Sequence, residues 1–306
     1  MENEATDPRT ICPETMATRL RTACATKLLP LLLLLALPAA VQAQFTFTTN
    51  NGAITITKYT GNGGAVTIPS TTNGYPVTSI GNQAFMSCTS LTNVTIGTNV
   101  TSIGNNTFQD CSKLLSVTFP NSVTSIGNSA FSTCTSLRSV TIGNGVTSLG
   151  DYTFGSCYAL TNVIIPSSVT NIGQNAFAFC IDLIAVYFQG NAPSLGGSYV
   201  FADDNYATVY YLPGTTNWGS TFGGLPAVLW NPQVQTSAVS FGVRTNRFGF
   251  AIAGTSNLTI VVETCTNLAN AQWSPVGTIT LTGGSCYFSD PQWTNYTRRF
   301  YRLRSP

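Results

Sequence analysis

The chain has 306 residues, of which 43% are hydrophobic and only 8% are charged, and its formal net charge is +2. So small a net charge gives no broad attraction for nucleic acid or acidic partners, and we expect no nucleic-acid binding. The sequence contains no His, which excludes Ser-His-Asp and Cys-His catalysis and every metal site that needs an imidazole ligand.

The first predicted element is an export signal over residues 1–43. Arg19, Arg21 and Lys27 precede an apolar run at 28–40, and a cleavage site follows at Ala43, with Met16 as an alternative start. Because the run is shorter than the ~20 residues that cross a bilayer, we favour a cleaved signal over a membrane anchor. The mature protein is predicted to be secreted or displayed at the cell surface, without a transmembrane segment.

Residues 44–76 follow the signal and contain two short alternating segments, at 54–56 and 66–68. Alternation of apolar and polar residues predicts strands. An array of repeats also needs its first open edge covered. We therefore predict an N-terminal β cap over 44–76.

Between residues 77 and 190 a 23-residue pattern returns five times without an insertion. Each unit contains a VTSIG segment, a short AFxxC segment and an LxxVxI segment of strand-like alternation. One unit alone buries too little apolar surface to offset the entropy of ordering its backbone. The units are therefore predicted to stack as a solenoid of five regular coils.

Two columns of the repeat are predicted to form a structural ladder inside the stack, with Phe in its wide part and Cys where only a small apolar group fits. The ladder consists of Phe85, Phe108, Phe131, Phe154, Phe177, Cys88, Cys111, Cys134, Cys157 and Cys180. Neighbouring Cα atoms would lie ~4.8 Å apart, within disulfide range, but parallel side chains favour reduced thiols. The Gly that closes each VTSIG is predicted to form a corner with positive φ.

The period fails after Phe188, and residues 191–232 keep only one more strand-like segment. We predict a degenerate last repeat, a C-terminal cap and a linker there. Alternating runs such as FGFAIA and LTIVVET then predict a small antiparallel β-sandwich-like domain over 233–306. Because the protein is predicted to be exported, we expect a disulfide between Cys265 and Cys286.

The repeats closely resemble the BspA-like, or Treponema-type, leucine-rich repeats, whose shared pattern is VTSIGxxAFxxCxSLxxVTIxxS. This resemblance covers residues 77–190. It implies a mainly β leucine-rich-repeat solenoid in a secreted or surface-displayed binding scaffold, and adhesion to host matrix proteins is linked to some members. The C-terminal segments VVETCTNLANAQWSPV and FYRLR resemble a module common on exported bacterial proteins.

The acidic residues give no sign of catalysis. Within the repeats, Asp110, Asp151 and Asp182 occupy three different columns, whereas a polysaccharide-cleaving enzyme needs two carboxylates that converge. Asp203 and Asp204 are expected in a solvated turn. One Cys per coil cannot supply a tetrahedral zinc site. We predict a protein that is not an enzyme, with no metal and no cofactor.

Side chains that alternate with the buried strand residues are expected to point outward on the concave face. Along the stack this face changes from polar to apolar, and exposed apolar groups indicate a partner. The candidate binding residues are Leu115, Arg138, Ile164, Ile184 and Tyr187. The sequence leaves open whether they bind a partner or lie beneath the C-terminal cap.

The favoured function is a monomeric, non-catalytic adhesion scaffold whose partner is an extracellular protein. The alternative is a carbohydrate-binding protein that recognises a glycan through aromatic residues near the cap. Those aromatic residues are Tyr210, Tyr211, Trp218 and Trp230. A polysaccharide-active enzyme, or an ice-binding solenoid using the Thr columns at 95, 118 and 141 and at 78, 101, 124 and 147, is less favoured.

Overall fold

The computed structural model describes residues 44–236 and 241–306, so the predicted signal peptide at 1–43 lies outside the described part of the chain. The described residues form strands and turns, with two short 3-10 turns at Thr282–Gly284 and Trp293–Asn295. None of their helical segments has the length and apolar character needed to cross a membrane. The prediction of a mainly β solenoid is confirmed.

Eighteen strands build the solenoid. They are β1 (Phe45–Asn50), β2 (Ala53–Tyr59), β3 (Gly64–Thr67), β4 (Thr71–Thr72), β5 (Tyr75–Ile80), β6 (Leu91–Thr95), β7 (Ser102–Ile103), β8 (Ser116–Thr118), β9 (Ser125–Ile126), β10 (Ser139–Thr141), β11 (Ser148–Leu149), β12 (Asn162–Ile165), β13 (Asn171–Ile172), β14 (Ala185–Phe188), β15 (Ser194–Leu195), β16 (Thr208–Tyr211), β17 (Thr221–Phe222) and β18 (Leu225–Leu229).

Each coil contributes one strand to each of two sheets. Sheet A has the order β1-β2-β5-β7-β9-β11-β13-β15, and sheet B has the order β17-β18-β16-β14-β12-β10-β8-β6-β3. Neighbouring coils pair in parallel and in register, as Val117, Val140 and Val163 do in sheet B. We number the coils from their first Val, so that coil 1 begins at Val77 and coil 5 at Val169.

The stack extends beyond the five regular coils at both ends. The segment predicted as a cap contributes β2 to sheet A and β3 to sheet B, both parallel to coil 1, and the antiparallel β1 covers it from outside. A sixth coil follows with one inserted residue. The amide of Phe154 donates to Ala176, whereas that of Phe177 donates to Val200.

The Phe column forms a continuous stack of rings along the core. Ring centroids of Phe85 and Phe108 lie 4.7 Å apart, and those of Phe108 and Phe131 lie 4.9 Å apart. Tyr59 continues the stack at the N-terminal end and Phe201 at the C-terminal end. Offset-stacked rings at this spacing add a favourable term to their apolar burial, so the column ties each coil to the next.

In coils 1 to 5 the segment between the two strands is a turn with two residues in the left-handed region. In coil 1 they are Gln83 at φ 59° and Ser87 at φ 59°. Backbone amides in this segment donate to the next coil, for example Phe85 to Thr107 at 2.8 Å. The turn therefore forms a third line of hydrogen bonds between coils.

The repeating Gly does not have the role that the sequence predicted. None of Gly81, Gly104, Gly127, Gly150 and Gly173 has positive φ. A Cβ built on Gly127 would instead lie 2.5 Å from Asn105 Oδ1 and 2.7 Å from Asn105 N in the preceding coil. The column needs Gly because the neighbouring coil passes too close for a side chain.

Seven strands form the C-terminal domain. They are β19 (Gln233–Gln235), β20 (Gly242–Arg244), β21 (Arg247–Ala253), β22 (Thr259–Cys265), β23 (Ser274–Thr280), β24 (Ser285–Asp290) and β25 (Phe300–Arg304). Strand β21 pairs with β19, β20 and β24, while β22 pairs with β23 and β25, all antiparallel. Apolar residues from both sheets, among them Phe250, Phe288 and Ile260, share one core.

Two buried carboxylates organise the arginines of this domain. Glu263 accepts hydrogen bonds from Arg302 at 2.7 Å and from Arg304 at 2.8 Å. Burial alone would raise the pKa of Glu263, but the hydrogen bonds and charges of Arg304 and Arg302 outweigh it and lower this pKa. Asp290 forms an ion pair with Arg299, in which Asp290 Oδ2 and Arg299 Nε lie 2.9 Å apart.

The disulfide predicted between Cys265 and Cys286 is not formed, because both are free thiols. Cys265 lies on β22, and Cys286 lies on β24 opposite Ile252. The two residues therefore belong to different sheets of the domain.

Candidate binding surfaces

The outer face of sheet B is polar in the first coils. Asn93, Thr95, Ser116 and Thr118 help to line a shallow groove of about 340 Å³. The Ser116 hydroxyl contacts Asn93 Oδ1 at 3.1 Å, so these groups partly satisfy one another. The residues that line this groove are polar or apolar, and none of them carries a charged side chain.

The Thr column beside sheet A is bonded within the protein. The hydroxyl of Thr101 donates to the carbonyl of Thr78 at 3.0 Å, and that of Thr124 donates to Thr101 at 3.1 Å. Thr147 continues the pattern. These hydroxyl groups donate their protons to hydrogen bonds between coils, so the protons are not available to a ligand at the surface.

The C-terminal domain covers the outer face of sheet B in the last coils. Tyr187 is only 3% exposed and stacks on Tyr210, with ring centroids 5.2 Å apart. Both rings lie in one cluster with Phe250 and Ile260 of the C-terminal domain. Burial raises the pKa of both tyrosines. The prediction that Tyr187 is an exposed binding residue is therefore wrong, since an intramolecular partner covers it.

The other four predicted concave-face residues differ in exposure. Ile164 is half-buried and packs against the same cluster. Leu115, Arg138 and Ile184 are exposed, and Ile184 keeps 59% of its surface in solvent. They share one column at the start of the sheet B strands, where the amide of Arg138 donates to the carbonyl of Leu115. Their role in binding remains a prediction.

The aromatic residues considered for glycan binding pack against other side chains and do not form an open binding surface. Trp230 and Tyr210 are buried. Trp218 stacks on Tyr211 at 5.0 Å and contacts Phe188 edge-on. The indole N–H of Trp230 donates to the carbonyl of Thr259 in the C-terminal domain at 3.1 Å. These side chains close the end of the solenoid and attach the next domain.

An apolar surface that the sequence reasoning identified only at Ile184 lies on the turns of coils 4 to 6. We call it the turn patch, and its residues are Tyr158, Phe179, Ile181, Ile184 and Tyr206. All five are exposed, and Tyr206 keeps 83% of its surface in solvent.

Backbone hydrogen bonds between coils place the parts of the turn patch side by side. The amide of Asp182 donates to the carbonyl of Tyr158, and that of Phe179 donates to Ala202. The amide of Thr208 donates to Ile184. The patch is therefore carried by three adjacent, hydrogen-bonded coils.

A signal for this patch was present in the repeat alignment. The residue after each column Cys is Thr89, Ser112 and Thr135 in coils 1 to 3, but Tyr158 and Ile181 in coils 4 and 5. The structure of the turn does not require an apolar group at this column, because the first three coils form the same turn with a hydroxyl residue.

Asp204 occupies the Cys column of coil 6 and is 1% exposed, which corrects the expectation of a solvated turn. Neither carboxylate oxygen has a hydrogen-bond partner among the described residues. Burial is the main cause that raises the pKa of Asp204 to about 7; the nearby backbone of Cys180 works against this rise, and the charge of the adjacent Asp203 adds to it. The Cys column therefore ends in coil 6 with a buried carboxyl group whose environment favours its neutral form.

The carboxylate of Asp151 links neighbouring coils of the stack. Asp151 stands in a column of amide residues, where its Oδ1 accepts the backbone N–H of Gln174 at 2.8 Å and its own N–H donates to Asn128 Oδ1. Across 44–236 and 241–306, no group of three His, Cys, Asp or Glu side chains is placed to hold a metal ion.

Comparison with known families matches residues 78–208 to the BspA type leucine rich repeat region, in six copies. No curated protein matches the chain. The Treponema pallidum leucine-rich repeat protein is 28% identical, with 55% of this chain and 84% of that chain covered and a TM-score of 0.47. A leucine rich cell surface protein from Faecalibacterium prausnitzii is 29% identical over 55% of this chain and 53% of that one, with a TM-score of 0.45.

Proposed function

Because residues 78–208 match the BspA type leucine rich repeat region, we propose that the protein is an exported, non-catalytic scaffold that binds an extracellular protein through the turn patch. The N-terminal sequence at 1–43, outside the described residues, supports export because it has the layout of a signal peptide.

The observation that carries this proposal is the change of residue type along otherwise equivalent turns. In the column after the Cys, coils 1 to 3 have Thr89, Ser112 and Thr135, whereas coils 4 and 5 expose Tyr158 and Ile181, and coil 6 exposes Tyr206 one position further on. Apolar side chains that are exposed to water lack the stabilisation that burial would give them. A contiguous patch of such side chains therefore marks an interaction site. Aromatic residues are also enriched at protein–protein interfaces.

Phe179 supports the same conclusion from backbone geometry. It has φ 63°, and the equivalent left-handed positions hold Ser87, Asp110, Thr133 and Ser156 in the earlier coils. A bulky side chain is unfavourable at positive φ. Residues held in such strained conformations cluster at functional sites. Phe179 is exposed as well, so burial in the core does not explain its presence.

The scaffold is suited to presenting such a patch in a fixed shape. Three lines of hydrogen bonds connect each coil to the next, in sheet A, in sheet B and along the turns. A preformed surface loses little conformational entropy on binding, which favours affinity at a small interface.

The test measures binding of the full exported chain to a panel of purified extracellular proteins by surface plasmon resonance. For any partner found, Ile181→Thr combined with Tyr206→Ser should weaken binding at least tenfold, since both changes install the residue type of earlier coils. Tyr75→Ser is the matched control, because Tyr75 is 46% exposed outside the patch. Equal binding of all variants, or equal losses in test and control, would refute the proposal.

A further inference from the structure

The C-terminal domain brings two arginines face to face. Strands β20 and β21 form a hairpin whose register pairs Arg244 directly with Arg247. Like charges directly opposite each other on an antiparallel pair are unfavourable. In the described ranges neither residue has an ion-pair partner, whereas Arg299, Arg302 and Arg304 all have one.

The turn between the two arginines is held in a strained conformation. Thr245 has φ 46° and Asn246 has φ 59°, as a two-residue hairpin of type I′ requires. Asn tolerates the left-handed region, but a β-branched Thr there is an outlier. The indole N–H of Trp293 donates to the carbonyl of Asn246 at 3.1 Å and helps to hold the turn. Strain that a structure maintains is a reason to look for a function.

A cleft of about 580 Å³ opens beside this hairpin, lined by Arg244, Thr245, Arg247, Tyr287 and Ser289. Tyr287 fits there because Gly249 has no side chain, and a Cβ at Gly249 would collide with the Tyr287 hydroxyl. The lining therefore offers two guanidinium groups and three hydroxyl groups, and it contains no carboxylate and no aliphatic side chain.

Positive charge is concentrated in this domain. Residues 241–306 contain six Arg and two acidic residues, whereas residues 44–232 contain three basic and five acidic residues. The cleft is thus the place where unpaired guanidinium groups meet in a chain that otherwise has few charges.

We propose that this cleft binds the sulfate or phosphate groups of an anionic polysaccharide. Guanidinium groups pair with tetrahedral oxyanions through parallel N–H···O hydrogen bonds, and an anion between Arg244 and Arg247 would relieve their repulsion. The three hydroxyl groups can bond to sugar hydroxyls. The absence of aliphatic lining favours a polar chain over a lipid. This site is separate from the turn patch and goes beyond the proposed function.

The test titrates the full chain with dextran sulfate and with uncharged dextran by isothermal titration calorimetry. We expect binding of dextran sulfate only. Arg244→Gln and Arg247→Gln should each reduce affinity at least tenfold. Arg298→Gln is the matched control, since Arg298 is exposed in the same domain, and it should change affinity less than twofold. Because both test changes remove like-charge repulsion, the variants should melt no lower than the parent protein.

Three results would overturn the proposal. The first is no binding of dextran sulfate by the parent protein, and the second is an equal loss for Arg247→Gln and Arg298→Gln. The third is selective binding of phosphatidylglycerol over phosphatidylcholine vesicles without binding of dextran sulfate, which would assign the cleft to a membrane surface. The Ile181→Thr/Tyr206→Ser variant should bind dextran sulfate normally, so failure at either site can be told from failure at the other.

Discussion

The thiol of Cys134 donates a hydrogen bond to the carbonyl oxygen of Phe108 in the preceding coil, at 3.2 Å. The same bond recurs in three further pairs, which are Cys111 with Phe85, Cys157 with Phe131 and Cys180 with Phe154. The Cys column therefore has two roles. Its side chain is small enough for a narrow part of the core, and it donates to a carbonyl that already accepts one backbone amide.

This double role predicts the response to substitution at Cys134. Cys134→Ala removes the S–H donor and leaves a small void, so the free energy of unfolding should fall by about 1–2 kcal/mol. Cys286→Ala is the control, because Cys286 is only partly buried and makes no bond between coils. It should change stability by less than about 0.5 kcal/mol. Urea denaturation measures both, and equal effects would contradict a special role for the column.

Asp204 predicts an unusual dependence of stability on pH. Its pKa is about 7 in the folded protein, against an ordinary value of 3.8. The folded state therefore holds the proton more tightly, and its full stabilisation is present below about pH 4. It is lost as the pH rises to about 7, which should lower the free energy of unfolding by about 2–4 kcal/mol. Denaturation of the protein at pH 4.5 and 7.5 measures this difference.

Two substitutions identify Asp204 as the source. Asp204→Asn should remove most of the fall in stability between pH 4.5 and 7.5, because the amide does not titrate. Asp204→Cys should do the same and restore the thiol of the regular column, placed to donate to the carbonyl of Phe177. Asp203→Asn serves as the control at the exposed neighbour. If the fall persists in Asp204→Asn, another group is responsible.

The Gly column shows where sequence reasoning found the right positions for the wrong reason. The 23-residue period of the Gly column was visible in the sequence. The sequence shows only that these positions exclude a side chain, and not what excludes it. Whether the cause is backbone conformation or the approach of another segment depends on coordinates. Here the backbone of Asn105 approaches Gly127, and that distance is a property of the stack rather than of a local turn.

Close approach predicts that Gly127→Ala is destabilising. The added Cβ would meet the backbone N of Asn105 at 2.7 Å, so the coils must separate locally, at a cost of about 1–3 kcal/mol. Gly197 provides the matched control, since a Cβ there meets nothing closer than 3.5 Å. Thermal unfolding of Gly127→Ala and Gly197→Ala should separate the two positions. Equal melting temperatures would mean that the coils can separate locally without a loss of stability.

Tyr187 predicts how the two parts of the protein are joined. Tyr187→Ala removes a buried ring between the solenoid and the C-terminal domain and should cost about 3–5 kcal/mol at this contact. We expect faster proteolytic cleavage around residues 231–236 and an earlier unfolding transition of the C-terminal domain. Tyr199→Ala, at an exposed turn, is the control and should behave like the parent protein. Identical cleavage rates for the two variants would refute a fixed attachment.

The stacked core was predictable because identical columns must superpose when units of one length repeat. The surfaces were not, for a physical reason that differs between residues. Alternation placed Tyr187 outward, correctly for sheet B, but no local rule tells which distant segment will cover it. Tyr158 and Tyr206 stand in turn columns whose direction depends on left-handed backbone positions that no Gly or Asn consistently marks.

The claim on which the rest depends is that four of the five column thiols, from Cys111 to Cys180, form one buried line through the stack, while Cys88 in coil 1 is partly buried. Burial raises the pKa of Cys157 to about 12 and that of Cys88 to about 11, so their thiolate fractions at neutral pH are very small. Mass spectrometry after brief iodoacetamide treatment at pH 7.5 should find Cys111, Cys134, Cys157 and Cys180 unmodified in the native protein and fully alkylated in urea. Rapid native alkylation of those four sites would contradict the stacked-coil scaffold and every proposal built on it.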